Sequence, residues 1–107
     1  NIFPPHYVGE KAVVQNSLVC NGCTVLGEVR NSILSTEAYV GPGAKVEDAI
    51  LLPGARVESG ARVMRAIVGE RAVIETNAYF GSQDKEQPIV VVGDNEHVAD
   101  DLWSGRY

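Results

Sequence analysis

The chain has 107 residues, of which 45% are apolar and 21% charged, the size and composition of one globular domain. Its net charge of -5 and its scattered basic residues argue against a general nucleic-acid binder and against a protein held by charge on an anionic membrane. Apolar runs such as Ile89 to Val92 are much shorter than the roughly 20 residues that a membrane-spanning helix needs.

Residues 1–7 are predicted to be a linker. Pro4 and Pro5 are adjacent, and proline lacks the N–H that regular secondary structure uses. The chain begins with Asn1 rather than Met and shows no charged-then-apolar leader. We therefore interpret it as part of a longer polypeptide, with a cytoplasmic location.

An aliphatic residue recurs every five or six positions from the start of the chain to about residue 78. The first series is Val8, Val14, Val19, Val25, Val29, Leu34, Val40, Val46, Leu51, Val57, Val63, Val68 and Ile74. Four residues after most of these comes a second apolar residue: Ala12, Leu18, Cys23, Ile33, Ala38, Ala44, Ile50, Ala55, Ala61, Ile67, Ala72 and Ala78. This spacing is neither helical nor strictly alternating, and it is typical of a hexapeptide solenoid.

The five-residue steps set the length of one coil. They begin at Val14, Val29, Val46 and Val63, which are 15, 17 and 17 residues apart. Each is followed by two further steps, normally of six residues. Three short strands per coil predict a three-sided prism, with about four coils between residues 8 and 79. The first full coil is two residues short, because the step from Val25 has only four residues.

The pattern also predicts which side chains face inward. We expect the first and fifth residues of each step to point into the prism. The fourth residue lies at a corner, where a positive φ is required and Gly or Asn is favoured. Gly22, Gly43, Gly54, Gly60 and Asn77 meet this requirement. Backbone strain is expected where another residue type occupies the same position, at Lys11, Glu37 and Arg71.

Residues 80–107 are predicted to be a C-terminal cap strand and tail. A polar loop from Gly81 to Pro88 precedes a strand at Ile89 to Val92, which we expect to cover the open edge of the last coil. Leu102 and Trp103 either pack on the prism or belong to a loose tail. The predicted fold class is therefore all-β, a single-stranded parallel β-helix of hexapeptide repeats.

The two cysteines, Cys20 and Cys23, form a C-x-x-C motif. Such a pair can be a redox dithiol or half of a zinc site, but the sequence has no second pair and no βαβ context. The repeat places Cys23 inside the prism and Cys20 at a corner. We interpret them as one core thiol and one incidental thiol.

The sequence shows no catalytic constellation. The carboxylates fall at outward positions, and His6 and His97 are expected to precede and follow the coils rather than lie on one. We predict no catalytic, cofactor-binding or metal-binding residue in this chain. Outward arginines suit phosphate groups, so five of them are candidate contacts for a small anionic effector: Arg30, Arg56, Arg62, Arg65 and Arg71.

The stretch from Asn16 to Leu34, N-S-L-V-C-N-G-C-T-V-L-G-E-V-R-N-S-I-L, resembles the C-terminal domain of bacterial glucose-1-phosphate adenylyltransferases. Ala49 to Gly54 and Arg65 to Val68 are similar to the same family. The resemblance implies a left-handed coil and a regulatory and oligomerisation domain without activity of its own. It also implies a tetramer, a small anionic effector, and an N-terminal catalytic domain that binds ATP and Mg²⁺ outside this chain.

Three alternatives stay open from the sequence. A hexapeptide acyltransferase would use coenzyme A and a histidine between the prisms of a trimer, and typically has a more even repeat. A β-helix domain from another sugar-phosphate nucleotidyltransferase would share the same coil. A catalytically weak paralogous subunit of the adenylyltransferase would carry the same domain.

Overall fold

A computed structural model describes residues 7–82, 84, 86 and 88–99. Sixteen strands of two or three residues make up the regular structure of this part of the chain. They are Tyr7–Val8 (β1), Val13–Gln15 (β2), Leu18–Val19 (β3), Thr24–Val25 (β4), Glu28–Arg30 (β5), Ile33–Leu34 (β6), Tyr39–Val40 (β7), Lys45–Glu47 (β8), Ile50–Leu51 (β9), Arg56–Val57 (β10), Arg62–Met64 (β11), Ala66–Val68 (β12), Val73–Ile74 (β13), Tyr79–Gly81 (β14), Val90–Val92 (β15) and His97–Val98 (β16). None of the described residues belongs to a helix that would reach across a lipid bilayer.

Successive strands belong to different sheets, and each strand pairs in parallel with the strand three places along the chain. The first sheet has the order β1-β4-β7-β10-β13-β16, the second β14-β11-β8-β5-β2, and the third β15-β12-β9-β6-β3. Strands β1 to β12 make four complete coils, β13 to β15 make a fifth, and β16 lies at the start of a sixth. The predicted β-solenoid and its three-sided coil are confirmed.

The core is a column of mainly aliphatic side chains that successive strands contribute. Val46, Leu51 and Val57 are 0% exposed, and the equivalent residues of neighbouring coils stack on them in register. Small residues such as Ala44 and Ala61 fill the corners and are equally buried. Val8 is 41% exposed, because β1 pairs with a described strand on one side only. Stacking of coils, rather than any single coil, therefore excludes water from the interior.

The corners require left-handed backbone, as predicted. Positive φ values occur at Gly22, Gly43, Gly54, Gly60 and Asn77. Glu37 and Arg71 adopt φ of 61° and 56°, so both carry the expected strain. The prediction for Lys11 is wrong: its φ is not positive, in a first coil with no described coil on its N-terminal side. A further column of positive φ was not predicted and lies between the second and third sheets: Asn16, Asn31, Asp48 and Arg65.

One set of inward assignments is wrong. Leu18 and Ile33 are 60% and 43% exposed, and Ile50 and Ile67 are only partly buried. In a five-residue step the fifth residue directly precedes the next inward residue, and adjacent strand residues face opposite sides of a sheet. The fifth residue of these steps therefore faces outward. The residue before it faces inward instead, as the burial of Ser32, Ala49 and Ala66 shows.

The solenoid resumes after the loop that follows β14. The strand predicted at residues 89–92 is present as β15, which lies parallel on β12, and β16 lies parallel on β13. Val92 and Val98 are buried and six residues apart, so they restore the inward spacing. His97 thus lies on a coil, contrary to the prediction, because the strand pairing continues past the interruption. Residues 1–6 of the predicted linker, with His6, and Leu102 and Trp103 lie outside the described residues, whereas Tyr7 belongs to β1.

Candidate functional site

The outer face of the third sheet carries a continuous row of aliphatic side chains, which we call the aliphatic ladder. Strand pairing aligns its members, one from each coil: Leu18, Ile33, Ile50, Ile67 and Val91. Leu18 and Val91, at the two ends, are 60% and 65% exposed. Every residue of β3, β6, β9, β12 and β15 is aliphatic. We therefore take the aliphatic ladder as a candidate contact site, because large exposed apolar patches often mark such sites.

Serine hydroxyls hold the turns that lead into the aliphatic ladder. The Ser32 hydroxyl donates to the Arg30 carbonyl at 2.8 Å and accepts from the Ala49 N–H at 3.1 Å. One coil earlier, the Ser17 hydroxyl donates to the Gln15 carbonyl and accepts from the Ser32 N–H in the same way. Each serine therefore replaces a backbone partner where the five-residue step interrupts the sheet hydrogen bonds. This is the physical role of the N-S pairs seen in the sequence.

The second sheet has a mixed-charge outer face. Glu28, Lys45 and Arg62 are aligned by strand pairing, and Arg30 is aligned with Glu47. Arg30 donates a hydrogen bond to Glu28, and this bond is the main reason that the pKa of Glu28 lies below its usual range. The Arg62 guanidinium lies 5.3 Å from the centre of the Tyr79 ring. Opposite charges face each other between β5 and β8, whereas Lys45 and Arg62, on β8 and β11, are neighbouring positive charges.

The outer face of the first sheet carries two pairs of ionisable side chains. The Arg56 guanidinium lies 4.3 Å from the Tyr39 ring centre, and its Nε donates to Glu58 at 2.9 Å. That hydrogen bond raises the pKa of Arg56 above its usual range. His97 Nδ1 lies 2.8 Å from Glu75 Oε2 on the last coil. Sequence spacing alone did not reveal the His97–Glu75 pair, because the loop before β15 hides the register.

The five candidate arginines are distributed around the prism. Arg30 and Arg62 share the second sheet, and Lys45 lies next to Arg62 in the same row. Arg56 lies on the first sheet. Arg65 and Arg71 lie at two different corners, where they donate to the Asp84 carbonyl at 2.5 Å and to Asn95 Oδ1 at 3.0 Å. The structure therefore places two of the five candidate arginines on one face, together with Lys45, which the sequence analysis did not select.

The C-x-x-C thiols are both free and lie in different environments. Cys23 is 1% exposed, and its Sγ donates to the Ser35 carbonyl at 2.9 Å. Burial raises the pKa of the Cys23 thiol. Cys20 is only partly buried. The predicted inward position of Cys23 is confirmed. Among the described residues no group of His, Cys, Asp and Glu could hold a metal ion.

Comparison with known proteins decides the family. The family model described as GlmU-like, C-terminal hexapeptide matches residues 3–95. The chain belongs to this family. One of its most similar relatives is a glucose-1-phosphate adenylyltransferase from Desulfitobacterium hafniense (strain DSM 10664 / DCB-2), 39% identical over 101 residues. Another, from Bacillus thuringiensis (strain Al Hakam), has the same name and is 33% identical over 93 residues.

Coverage shows how this hexapeptide domain relates to those proteins. The alignments cover 91% and 87% of the chain but only 25% of each relative. The resemblance carried by Asn16 to Leu34 is therefore confirmed, and the chain spans a quarter of the length of the curated relatives it matches. Within the described residues, the domain presents one uncharged aliphatic face and two faces that carry paired charges.

Proposed function

We propose that this chain is the C-terminal solenoid domain of a glucose-1-phosphate adenylyltransferase and does no chemistry of its own. The complete enzyme would make ADP-glucose and pyrophosphate from ATP and glucose 1-phosphate, for glycogen biosynthesis in the cytoplasm. An N-terminal catalytic domain would bind ATP and Mg²⁺. The solenoid would hold subunits of a homo-oligomer, a tetramer in the family it resembles, and transmit effector binding.

The aliphatic ladder is the observation that carries a contact role. A side chain that is more than half exposed, such as Leu18 or Val91, gains stability only when another surface covers it. By contrast, charged side chains of the other two sheets already have partners on their own face. Arg56 bonds Glu58 on the first sheet, and Arg30 bonds Glu28 on the second. A rigid prism with one exposed apolar face is better suited to assembly than to catalysis.

The second sheet is our proposed contact for a small anionic effector. Arg62 and Lys45 are neighbours in one row, and an arginine beside a lysine offers several donors to a phosphate group. Glu28 is the third member of that row, and its negative charge repels an anion. An effector bound there would therefore have to compete with the Glu28 carboxylate for its positively charged partners. Of the five candidate arginines, Arg62 is therefore the first to test, by Arg62→Ala in the complete enzyme.

The test compares the complete gene product with the 107-residue chain. We expect ADP-glucose formation from ATP and glucose 1-phosphate by the complete protein and none by the chain alone. A version lacking residues 8–98 should lose its tetrameric state and its response to sugar phosphates. Adenylyltransferase activity in the purified 107-residue chain, or its absence from the complete protein, would overturn the proposal.

One observation favours the acyltransferase alternative. A histidine beside a carboxylate, as His97 is beside Glu75, is the arrangement of an oriented general base. Titration of the 107-residue chain with coenzyme A measures this directly. Binding that is lost in His97→Ala would favour the acyltransferase, and no binding would remove it.

A further inference from the structure

The edge of the prism between the first and second sheets has a slot in it at the second coil. The corner between β4 and β5 contains only Leu26 and Gly27, whereas the corners stacked on either side of it, residues 9–12 and 41–44, contain four residues each. The second coil is therefore set back between two projecting corners. These two corners lie two strand spacings apart, about 10 Å, which leaves room for a flat group one coil thick. A cavity of about 610 Å³ occupies this position.

Gly43 directs its backbone N–H into the slot. In the next coil the Gly60 N–H donates to the Pro42 carbonyl at 3.0 Å, and in the coil after that the Asn77 N–H donates to the Ser59 carbonyl at 3.0 Å. Each corner N–H of this column thus points towards the preceding coil. The shortened corner lacks the residue that would accept from Gly43, and this N–H has no hydrogen-bond partner among the described residues.

The Lys11 N–H faces the slot from the opposite side. The turn of the first coil is closed by a 3.1 Å hydrogen bond from the Ala12 N–H to the Gly9 carbonyl, and the φ of Lys11 is not positive. It is therefore a type I turn, whereas the corresponding turn of the third coil, with a φ of 74° at Gly43, is type II. The two types differ by about 150° in the ψ that orients the central peptide group, so the Lys11 N–H points towards the second coil. It too has no partner among the residues that the structure describes.

The side chains around the slot add apolar walls and a positive charge. Tyr7 from the first coil, Leu26 from the second and Pro42 from the third all line it, and Tyr7 is 58% exposed. The Lys11 ammonium forms no ion pair with any described residue. Two backbone N–H groups and an ammonium are all donors, so a complementary ligand must supply acceptors and negative charge.

Two carboxylates also line the slot and limit its affinity for an anion. Glu28 is bonded to Arg30, which offsets its charge. Glu10 is exposed and has no ion-pair partner within the described part of the chain. Glu10 is therefore the group that opposes a negatively charged ligand, and its neutralisation should strengthen binding.

We propose that the slot binds a small organic carboxylate with a flat apolar body, such as an aromatic acid. The carboxylate accepts hydrogen bonds from the N–H groups of Lys11 and Gly43 and pairs with the Lys11 ammonium. The flat body lies between Tyr7 and Pro42, against Leu26. A concave site of this volume, with apolar walls and a few converging polar groups, has the usual construction of a small-molecule site. The site lies within this chain alone, so its test does not depend on the proposed function.

Titration with benzoate, followed by NMR of the isotope-labelled 107-residue chain, tests the inference. We expect the amide signals of Lys11 and Gly43 to shift together and to saturate at millimolar benzoate. Benzamide has the same shape without the charge, and inorganic phosphate has charge without the ring. Each should bind about tenfold more weakly than benzoate, because each lacks one of the two features that the slot recognises.

Three variants of the chain locate the binding. Insertion of a Ser-Gly pair between Leu26 and Gly27 gives the shortened corner four residues, fills the slot and should abolish the response of Gly43 to benzoate. Lys11→Gln leaves the slot open and should weaken binding about fivefold, whereas Glu10→Gln should strengthen it about twofold. The inference is overturned if Gly43 shows no saturable shift, if benzamide or phosphate binds as well as benzoate, or if binding survives the insertion or is unchanged in Lys11→Gln.

Discussion

A Cβ atom on Gly27 would lie 2.4 Å from the carbonyl oxygen of Ala44, in the coil above. Gly27 belongs to the corner between β4 and β5, which has two residues where the corresponding corner of the next coil has four. The shortened chain therefore passes directly against the backbone of that next corner. Only a residue without a side chain fits there.

We expect Gly27→Ala to lower the free energy of unfolding by about 3 kcal/mol, because the methyl group meets backbone that cannot rotate away. Gly43→Ala is the control. There the added Cβ meets nothing closer than 3.8 Å, so the φ of 74° alone should cost about 1 kcal/mol. Urea denaturation measures the free energy of unfolding of both variants. If both lose the same amount, the clash at Gly27 is relieved by movement of the corner.

Glu37→Asn is expected to stabilise the domain by up to about 1 kcal/mol. Glu37 has a φ of 61°, which a short polar side chain tolerates better than a long one. Glu37→Gln removes the same charge but keeps the strain, so it should leave stability nearly unchanged. If thermal unfolding shifts equally in the two variants, charge rather than backbone strain is responsible.

Ser32→Ala should destabilise the chain by about 1–3 kcal/mol, because the buried Ala49 N–H loses the hydroxyl that accepts its hydrogen bond. Ser59→Ala is the matched control. Its hydroxyl donates to the Pro42 carbonyl from an exposed corner, and its loss should change stability by less than about 0.5 kcal/mol. Similar losses of unfolding free energy in Ser32→Ala and Ser59→Ala, measured by chemical denaturation, would contradict the role assigned to the N-S pairs.

Alkylation should distinguish the two thiols. We expect iodoacetamide to modify Cys20 in the folded chain and to reach Cys23 only after unfolding, as read by mass spectrometry of the intact and digested protein. Comparable labelling rates for the two thiols under native conditions would contradict the buried position of Cys23.

The pKa of Cys23 also predicts a pH effect. Because burial raises the pKa of this thiol in the folded state, its contribution to stability is complete below the unfolded pKa. It is lost as pH rises through the folded pKa. As pH rises into the alkaline range, the denaturation midpoint of Cys23→Ala should therefore fall less steeply than that of Cys20→Ala, which keeps the buried thiol. Equal dependence of the two midpoints on pH would contradict the raised pKa of Cys23.

Much of the fold followed from side-chain spacing because each coil repeats the same requirement. Val46 and Leu51 were assigned inward by their place in the repeat, and Glu37 was assigned to a strained corner because it occupies the fourth position of its step, where Gly or Asn is favoured. The outward position of the aliphatic ladder was missed for a geometric reason. Treating every step alike placed Ile33 and Ile50 inward, whereas a five-residue step shifts the alternation by one and turns them outward.

Long-range register could not be predicted across the loop that follows β14. Nothing in the spacing before residue 82 indicates that His97 pairs with Val73, or that it lies beside Glu75. The pairing of Lys45 with Arg62 was within reach, because both occupy the same position of their steps, 17 residues apart. Comparing outward positions between coils would have found it.

Strand pairing joins each coil only to its immediate neighbours, as at the offset of 17 residues between Val46 and Val63. Insertion of one more such repeat would lengthen the rod by about 4.8 Å and leave the contacts of distant coils intact. The number of repeats therefore sets the length of the rod, and a repeat can be added or removed without disturbing the packing of distant coils.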